Sequence, residues 1–442
     1  MNASPLGWLG ILRLGLVQTA LGAIVVMSTS TLNRVMVIEY ALPATVPGLL
    51  VGLHYAVQVL RPRWGYGSDK GGRHTPWILG GIGTLAAGGF GAALAVVLLP
   101  ASMAAGLALA VVSYLLIGVG VGAAGTNLLV LLAKRVAPER RGPAATLVWV
   151  MMIMGFIVTT AIAGHNLDPF TPGRLLLVTG IISIIATLLA FVALARIEGR
   201  PVPAPAVVAH EKDRPEASFR EALREVWAEP QSRRFTIFVF VSMLAYSSQD
   251  LILEPFAGIV FALTPGQTTK LSSLQHGGVL MGMVMVALLV NPSTKGRFGS
   301  LRSWTIAGCI ASAAALALVA IGGLVGPSWP LRTTVFALGV ANGAYAVAAI
   351  GSMMGMMGEG GASRGGTRMG LWGAAQAIAF GLGGLAGSTA TDIARALMGA
   401  AIPAYALVFM LESVLFLVSA ALAAGLTRAH APEASGKLVA AE

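Results

Sequence analysis

Twelve apolar runs, each close to the ~20 residues that a helix needs to cross the hydrocarbon core of a bilayer, divide this sequence almost from end to end. They predict transmembrane helices at 14–38, 47–64, 76–99, 104–132, 144–165, 174–195, 235–256, 271–290, 303–325, 332–357, 368–390 and 401–426. Composition agrees. Hydrophobic residues make up 56% of the chain, charged residues only 11%, and the mean hydropathy is +0.81, which excludes an ordinary soluble domain. The expected fold class is an all-α polytopic membrane protein. A formal net charge of +11 would suit a nucleic-acid partner until the charges are placed on this topology. Apart from Arg34, Arg174, Lys270, Arg332 and Arg395, the Lys and Arg residues all fall on one side of the membrane. The positive-inside rule makes that side the cytoplasm and puts both termini there, so no nucleic-acid partner is expected. Cys309, the only cysteine, lies inside a span, and no disulfide framework exists. The start of the chain lacks a cleavable signal pattern, and the first span is expected to stay as an anchor.

The sequence also repeats itself. Glu39 aligns with Glu254 at an offset of 215, His54 with His276 at 222, and Arg141-Gly142 and Trp149 with Arg364-Gly365 and Trp372 at 223. A seven-residue insertion around Phe261 to Thr268 reconciles these offsets. A six-helix unit is therefore used twice in the same orientation, because six crossings return the chain to its starting side. Parallel repeats of this kind build transporters, with binding sites between the halves near mid-membrane. The expected organisation is an N-terminal six-helix bundle over 1–198, a cytoplasmic linker over 199–234, a C-terminal six-helix bundle over 235–428 and a cytoplasmic tail over 429–442. Within the linker, Phe219, Leu223, Val226 and Trp227 would share one face of a short amphipathic helix, opposite Arg220, Glu221, Arg224 and Glu225. Glycine pairs at GxxxG spacing, such as Gly118 with Gly122 and Gly339 with Gly343, predict close helix packing.

The clearest local motif is Gly65-Tyr-Gly-Ser-Asp-Lys-Gly-Gly-Arg-His-Thr-Pro76, in the short loop after the second span, with Gly65, Asp69, Gly72 and Arg73 as its landmarks. Its glycines permit a tight turn, and Asp69 can cap a neighbouring helix and pair with Arg73. The pattern resembles the loop signature of the major facilitator superfamily, with His74 at the last basic place. Ala137-Pro-Glu-Arg-Arg-Gly142 resembles that superfamily's second cytoplasmic loop, whereas the second-half counterpart of the first loop, residues 291–300, lacks the aspartate. A narrower resemblance lies in Ser30-Thr-Leu-Asn-Arg-Val-Met-Val-Ile-Glu39, followed by Leu42-Pro43 and Trp64-Gly-Tyr-Gly-Ser-Asp69. This stretch is similar to the PucC/LhaA group, the bacteriochlorophyll delivery family of that superfamily. The match covers the first two helices and their loop, and the other spans agree in topology and repeat. The short Lys70-Gly-Gly-Arg-His74 departs from members devoted to particular antenna complexes and points to a branch working with pigment-synthesis enzymes.

The resemblance implies a twelve-helix facilitator fold in a bacterial inner membrane, the photosynthetic intracytoplasmic membrane. It implies help in pigment–protein assembly by delivery of bacteriochlorophyll or a precursor, which would be bound cargo and not an intrinsic cofactor. Beside lipid, the implied partners are that tetrapyrrole and either light-harvesting or reaction-centre subunits or membrane pigment-synthesis enzymes.

A magnesium tetrapyrrole needs an axial ligand and flat apolar walls. The repeat-related His54 and His276 are the candidate ligands, and Trp149 and Trp372 the candidate walls; hydrogen bonding between helices and ordinary packing are the alternatives. Arg34, Glu39, Asp250 and Glu254 cluster at the outer ends of the first and seventh spans, where charge is expensive. Arg34 is expected to bridge to Asp250 or Glu254, as a static ion pair or as a gate over a central cavity. Arg34 and Glu39, five residues apart, are poorly placed on a helix to pair with each other. No nucleotide loop, metal-ligand spacing or nucleophile–base set is present, so an enzyme is not expected. The remaining alternative is a secondary transporter of a small molecule, which should line its cavity with polar groups. The middles of spans one, four, seven and ten offer little beyond Gln18, Thr19, Ser28, Asn127, Ser242, Tyr246 and Asn342, which favours assembly.

Overall fold

The computed structural model describes residues 6–61, 64, 73–137, 140–198, 224, 227–290, 299–359 and 365–425, with backbone only over 353–359 and 365–370. Gly65, Asp69 and Gly72 of the loop motif, most of the linker with its expected amphipathic helix, and the tail 429–442 lie outside the described residues. Every regular element among the described residues is helical. The first crossing is made by α1 (Trp8–Thr29) and α2 (Thr31–Ile38), and the second by α3 (Thr45–Val57), which a 3-10 turn extends over Gln58–Leu60. Then follow α4 (Thr75–Leu98), α5 (Met103–Arg135), α6 (Arg141–Asn166) and α7 (Pro172–Leu194). The second half holds α8 (Pro230–Phe261), α9 (Pro265–Leu289), α10 (Leu301–Val325), α11 (Leu331–Glu359), α12 (Gly365–Met398) and α13 (Ala401–Ala424). Among the described residues ten helical stretches are long and apolar enough to cross a membrane. The shorter apolar Thr45–Leu60 and the 34-residue α12 supply the remaining two crossings. Twelve crossings return the chain to one face, called here the termini face, opposite the distal face.

Helix ends are set by local chemistry. Ser102, Thr171 and Ser300 accept first-turn N–H groups at α5, α7 and α10, and Thr264 and Gln267 form a reciprocal capping box at α9. At the termini face, arginines close the carbonyl ends of the helices. Arg13 donates to Ala193 and Ala195 O, Arg135 to Ile197 and Glu198 O, and Arg302 to Ala423 and Ala424 O. Positive charge at a helix C-terminus is favourable, so these residues serve local structure as well as sidedness.

Two differences from the expected spans matter for the site. The first crossing is interrupted at Ser30 (φ −98°, ψ −85°), which turns α2 relative to α1. In the second half α8 runs through Pro255 as far as Phe261. Ala262 then adopts a left-handed conformation (φ 52°) that ends the helix, and this turn occupies the insertion found in the repeat.

Hydrophobic packing builds two main cores. One gathers Leu14, Ile24, Leu85, Tyr114 and Leu128 of the first half with Leu251, and the other Phe256, Leu316, Tyr345, Tyr405 and Phe409 of the second. Close approaches at glycine tighten them: a Cβ on Gly118 would lie 2.6 Å from His54 O, and Gly339 and Gly343 press on the carbonyls of Gln275 and Val279. Between the halves, α3 packs on α12 and α6 on α9, while α2 leans on both α8 and α9. The seam between bundles is thereby closed at the distal end of the first crossing.

Candidate functional site

The break at Ser30 aims its side chain across this seam. Ser30 Oγ and Ser272 Oγ both donate to Glu254 Oε1, so one carboxylate ties α1–α2 to α8 and α9. One residue on, Thr31 Oγ1 meets Thr269 Oγ1 at 3.0 Å, and Asn33 Nδ2 donates to Leu251 O at 2.6 Å. All of these side chains are buried. Burial of so many polar groups is tolerable only because each finds a partner in the opposite half.

Arg34 corrects the expectation drawn from the sequence. Its guanidinium is 3% exposed and forms its ion pair with Glu39, not with Asp250 or Glu254. Glu39, the C-cap of α2, keeps helical backbone (φ −72°, ψ −31°), so the five-residue spacing is bridged by the reach of the two long side chains. The second guanidinium nitrogen donates to Leu263 O at 2.8 Å, a carbonyl presented by the left-handed turn at Ala262. Gly258 makes room, since a Cβ there would lie 3.1 Å from Arg34 Nη2. Arg34 therefore does join the halves, through a main-chain carbonyl.

Termini-ward of this seal, the two repeat-related histidines have different surroundings. His276 lies one turn from Ser272, and a proton on its Nδ1 satisfies Ser272 O at 2.8 Å. That bond leaves the Nε2 lone pair without a partner among the described residues. Phe156 stands edge-on to the imidazole at 5.0 Å and packs on Gly22 of α1, while Gln18 reaches Met152 Sδ at 3.2 Å one turn away. His276 is partly exposed, at the interface of α1, α6 and α9. His54, by contrast, is 3% exposed with its Nε2 held 3.1 Å from Gln58 Nε2 and its ring against Tyr55. The tryptophans diverge as well. Trp149 is 39% exposed and shares a helix face with Met152 and Phe156, whereas Trp372 is packed in the second core against Phe235 at 4.9 Å. Core packing removes Trp372 from any cavity wall. Arg73, the described member of the loop motif, is exposed.

Sequence reasoning placed Asp250 at the outer gate and passed over Glu412. Asp250 lies one turn termini-ward of Glu254, within electrostatic reach of Tyr55, Tyr246, Tyr345 and Glu412. It makes no hydrogen bond or ion pair among the described residues. Tyr55 and Tyr246 both pack on Phe380, at 5.6 and 5.9 Å, so aromatic rings from α3, α8 and α12 frame the seam beside this acid. Glu412 is 2% exposed in α13, and a lone carboxylate in a twelfth span was the signal that could have found it. The middle of the bundle is thus aromatic and acidic, and less dry than the spans alone suggested. Among the described residues no group of three or more His, Cys, Asp or Glu is placed to hold a bare metal ion.

Comparison with known proteins fits this architecture. Residues 31–431 match the family described as PUCC protein. The chain is 51% identical over 429 residues to the "Bacteriochlorophyll synthase 44.5 kDa chain" of Rhodobacter capsulatus, covering 96% of this chain and 97% of that one. It is 27% identical to "Protein PucC" of the same organism, over 95% of this chain and 92% of that protein. Among solved structures, a bacterial homologue of the human lysosomal transporter Spinster superposes with a TM-score of 0.68 at 15% identity, covering 93% of this chain and 95% of the other. That last likeness concerns the fold alone, a facilitator-type transporter fold. On the extent of the family match and of the 51% identity, the chain belongs to the PucC family.

Proposed function

We propose that this protein assists assembly of the photosynthetic membrane by holding bacteriochlorophyll or a precursor and passing it to pigment–protein complexes or to pigment-synthesis enzymes, without itself catalysing a reaction. The observation that carries the reading is His276. Its Nδ1 hydrogen bond to Ser272 O fixes the tautomer in which Nε2 offers a lone pair, the arrangement by which proteins orient imidazole ligands. A magnesium tetrapyrrole would need one further donor atom from the protein, and the His276 imidazole would supply it. On the neighbouring α6, Phe156 stands against the imidazole, and Met152 and Trp149 extend its helix face as an apolar, polarisable surface for a flat macrocycle. His54, closed in by Gln58 and Tyr55, is the lesser candidate. The name of the 51% identical relative refers to bacteriochlorophyll synthesis and supports the same pigment class. By the positive-inside rule the termini face is cytoplasmic, in a bacterial photosynthetic inner membrane, and partners dock from that side or laterally.

A second reading, secondary transport of a small molecule, is favoured by Asp250 and Glu412, since intramembrane acids mark substrate and ion pathways. Purification from the native membrane in gentle detergent separates the two. The first reading expects a tetrapyrrole absorption band and co-purifying pigment-handling proteins. Colourless, partner-free protein that supports saturable solute uptake would establish the second instead.

A further inference from the structure

The distal ends of α3 and α9 are capped from the opposite bundle. Helix α3 begins after Ala44, which has no side chain able to cap the first turn. The missing acceptor comes from α12. Asp392 Oδ1 takes the Ala44 N–H at 3.0 Å, and Oδ2 takes the Thr45 N–H and the Thr45 hydroxyl, both at 2.7 Å. In the other seam Asp168, just past the end of α6, takes the Gly266 N–H at the start of α9 at 3.2 Å. Pro265 has no N–H and the Gln267 N–H goes to Thr264, so Gly266 is the first-turn donor left for it.

These two contacts are mates under the internal repeat. Ala44 and Gly266 are 222 residues apart, the offset of His54 and His276, and Asp168 and Asp392 are 224 apart, one more than Trp149 and Trp372. The packing beneath them repeats too. A Cβ on Gly164 would meet Gly266 O at 2.6 Å and Lys270 N at 2.9 Å, and a Cβ on Gly48 would meet Ser388 Cβ at 2.9 Å. In each seam a carboxylate at the distal end of one helix sits on the positive end of a helix dipole from the other half, where negative charge is stabilising.

We propose that Asp168 and Asp392 are paired latches that hold the distal face shut, so that this face opens only when both carboxylates leave the helix ends they cap. The latches flank the Glu254 seal on either side and act on rigid helices, so releasing one leaves the other to hold the bundles together. Each cap contributes a factor of about 5 to the closed state, so loss of one shifts the equilibrium about 5-fold and loss of both about 25-fold.

The test uses the full chain in detergent with Cys309→Ala, carrying cysteines at Thr31 and Thr269, whose hydroxyl oxygens lie 3.0 Å apart across the seam. Disulfide formation under mild oxidant reports closure. Cross-linking is expected to be fastest in the parent, slowed by up to about 5-fold in either Asp168→Ala or Asp392→Ala, and slowed further, by up to about 25-fold, in the double variant. A second pair, at Ser312 and Asn342 inside the C-terminal bundle, should cross-link equally in all of them and shows that each variant is folded. Asp168→Asn with Asp392→Asn, which keeps an acceptor oxygen at each cap, should recover much of the rate. If the double alanine variant cross-links the Thr31–Thr269 pair as fast as the parent while the control pair is normal, the latch is refuted. A single alanine variant as slow as the double refutes the pairing.

Discussion

Glu254 offers the sharpest test of how the distal seal is built, through Ser30→Ala and Ser272→Ala. Both hydroxyls donate to the same carboxylate oxygen, and all three residues are at most 6% exposed. Removing either hydroxyl deletes one hydrogen bond and leaves the other, a loss of about 0.5–1.5 kcal/mol. Values near the lower end are expected, because hydrogen bonds between transmembrane helices average about 0.6 kcal/mol in double-mutant cycles. Removing both is a different perturbation. Of the three hydroxyls beside Glu254 only that of Thr268 would remain, so the doubly substituted protein buries an under-satisfied carboxyl group, at a further ~1–3 kcal/mol. The double variant should therefore fall about 2–4 kcal/mol below the parent, at least ~1 kcal/mol more than the sum of the single losses. Unfolding of the detergent-solubilised protein by titration with a denaturing detergent measures the cycle. Strict additivity, with a total loss below about 1 kcal/mol, would refute a shared acceptor and return the two serines to independent packing roles.

Other consequences are equally specific. Arg34→Ala should couple more strongly to Glu39→Ala than to Glu254→Ala in the same unfolding assay, because the ion pair is with Glu39; the reverse order would restore the bridge first expected from the sequence. Gly343→Leu should abolish a monodisperse gel-filtration peak, since a side chain there must displace the Val279 carbonyl of α9 and wedge α9 from α11; a normal peak would mean that the helices do not touch there. At the termini face, burial raises the Glu198 carboxyl pKa, but the Thr75 side chain beside it, hydrogen bonds from the His74 and Thr75 N–H groups, and the nearby His74 outweigh it and leave the group below its usual 4.5. Its folded-state value is thus depressed, so its stabilising contribution is present above pH 4.5 and is lost as pH falls through the lower folded value. Glu198→Gln should accordingly destabilise at pH 7 and converge with the parent in acid; an equal gap at both would contradict the capping role.

Long-range order was the legible part of this sequence. Span length, glycine spacing and the duplicated landmarks Glu39/Glu254 and His54/His276 depend on composition and period, which a linear chain displays directly. Side-chain partners were less legible because they depend on how far side chains reach. Arg34 and Glu39 are misaligned by helix angle, and they pair because two long side chains span the gap at the end of α2. The repeat itself misled at the tryptophans: Trp372 faces Phe235 in a packed core while Trp149 stays exposed, since the two bundles fill the same backbone plan with different neighbours. Glu412 was hidden for another reason. Spans one, four, seven and ten are the ones expected to line a cavity, and α13 carries its acid from outside that set to within reach of Asp250.

The proposal of a pigment held at His276 is tested most directly by one comparison. The parent, His276→Ala and His54→Ala proteins, each purified in gentle detergent from the native membrane, are compared by the ratio of tetrapyrrole absorbance to protein absorbance. A pigmented parent, a His54→Ala protein that keeps its pigment and a His276→Ala protein that loses it, with all three equally folded by gel filtration, is the predicted result. A colourless parent, or pigment retained in full by His276→Ala, would contradict it.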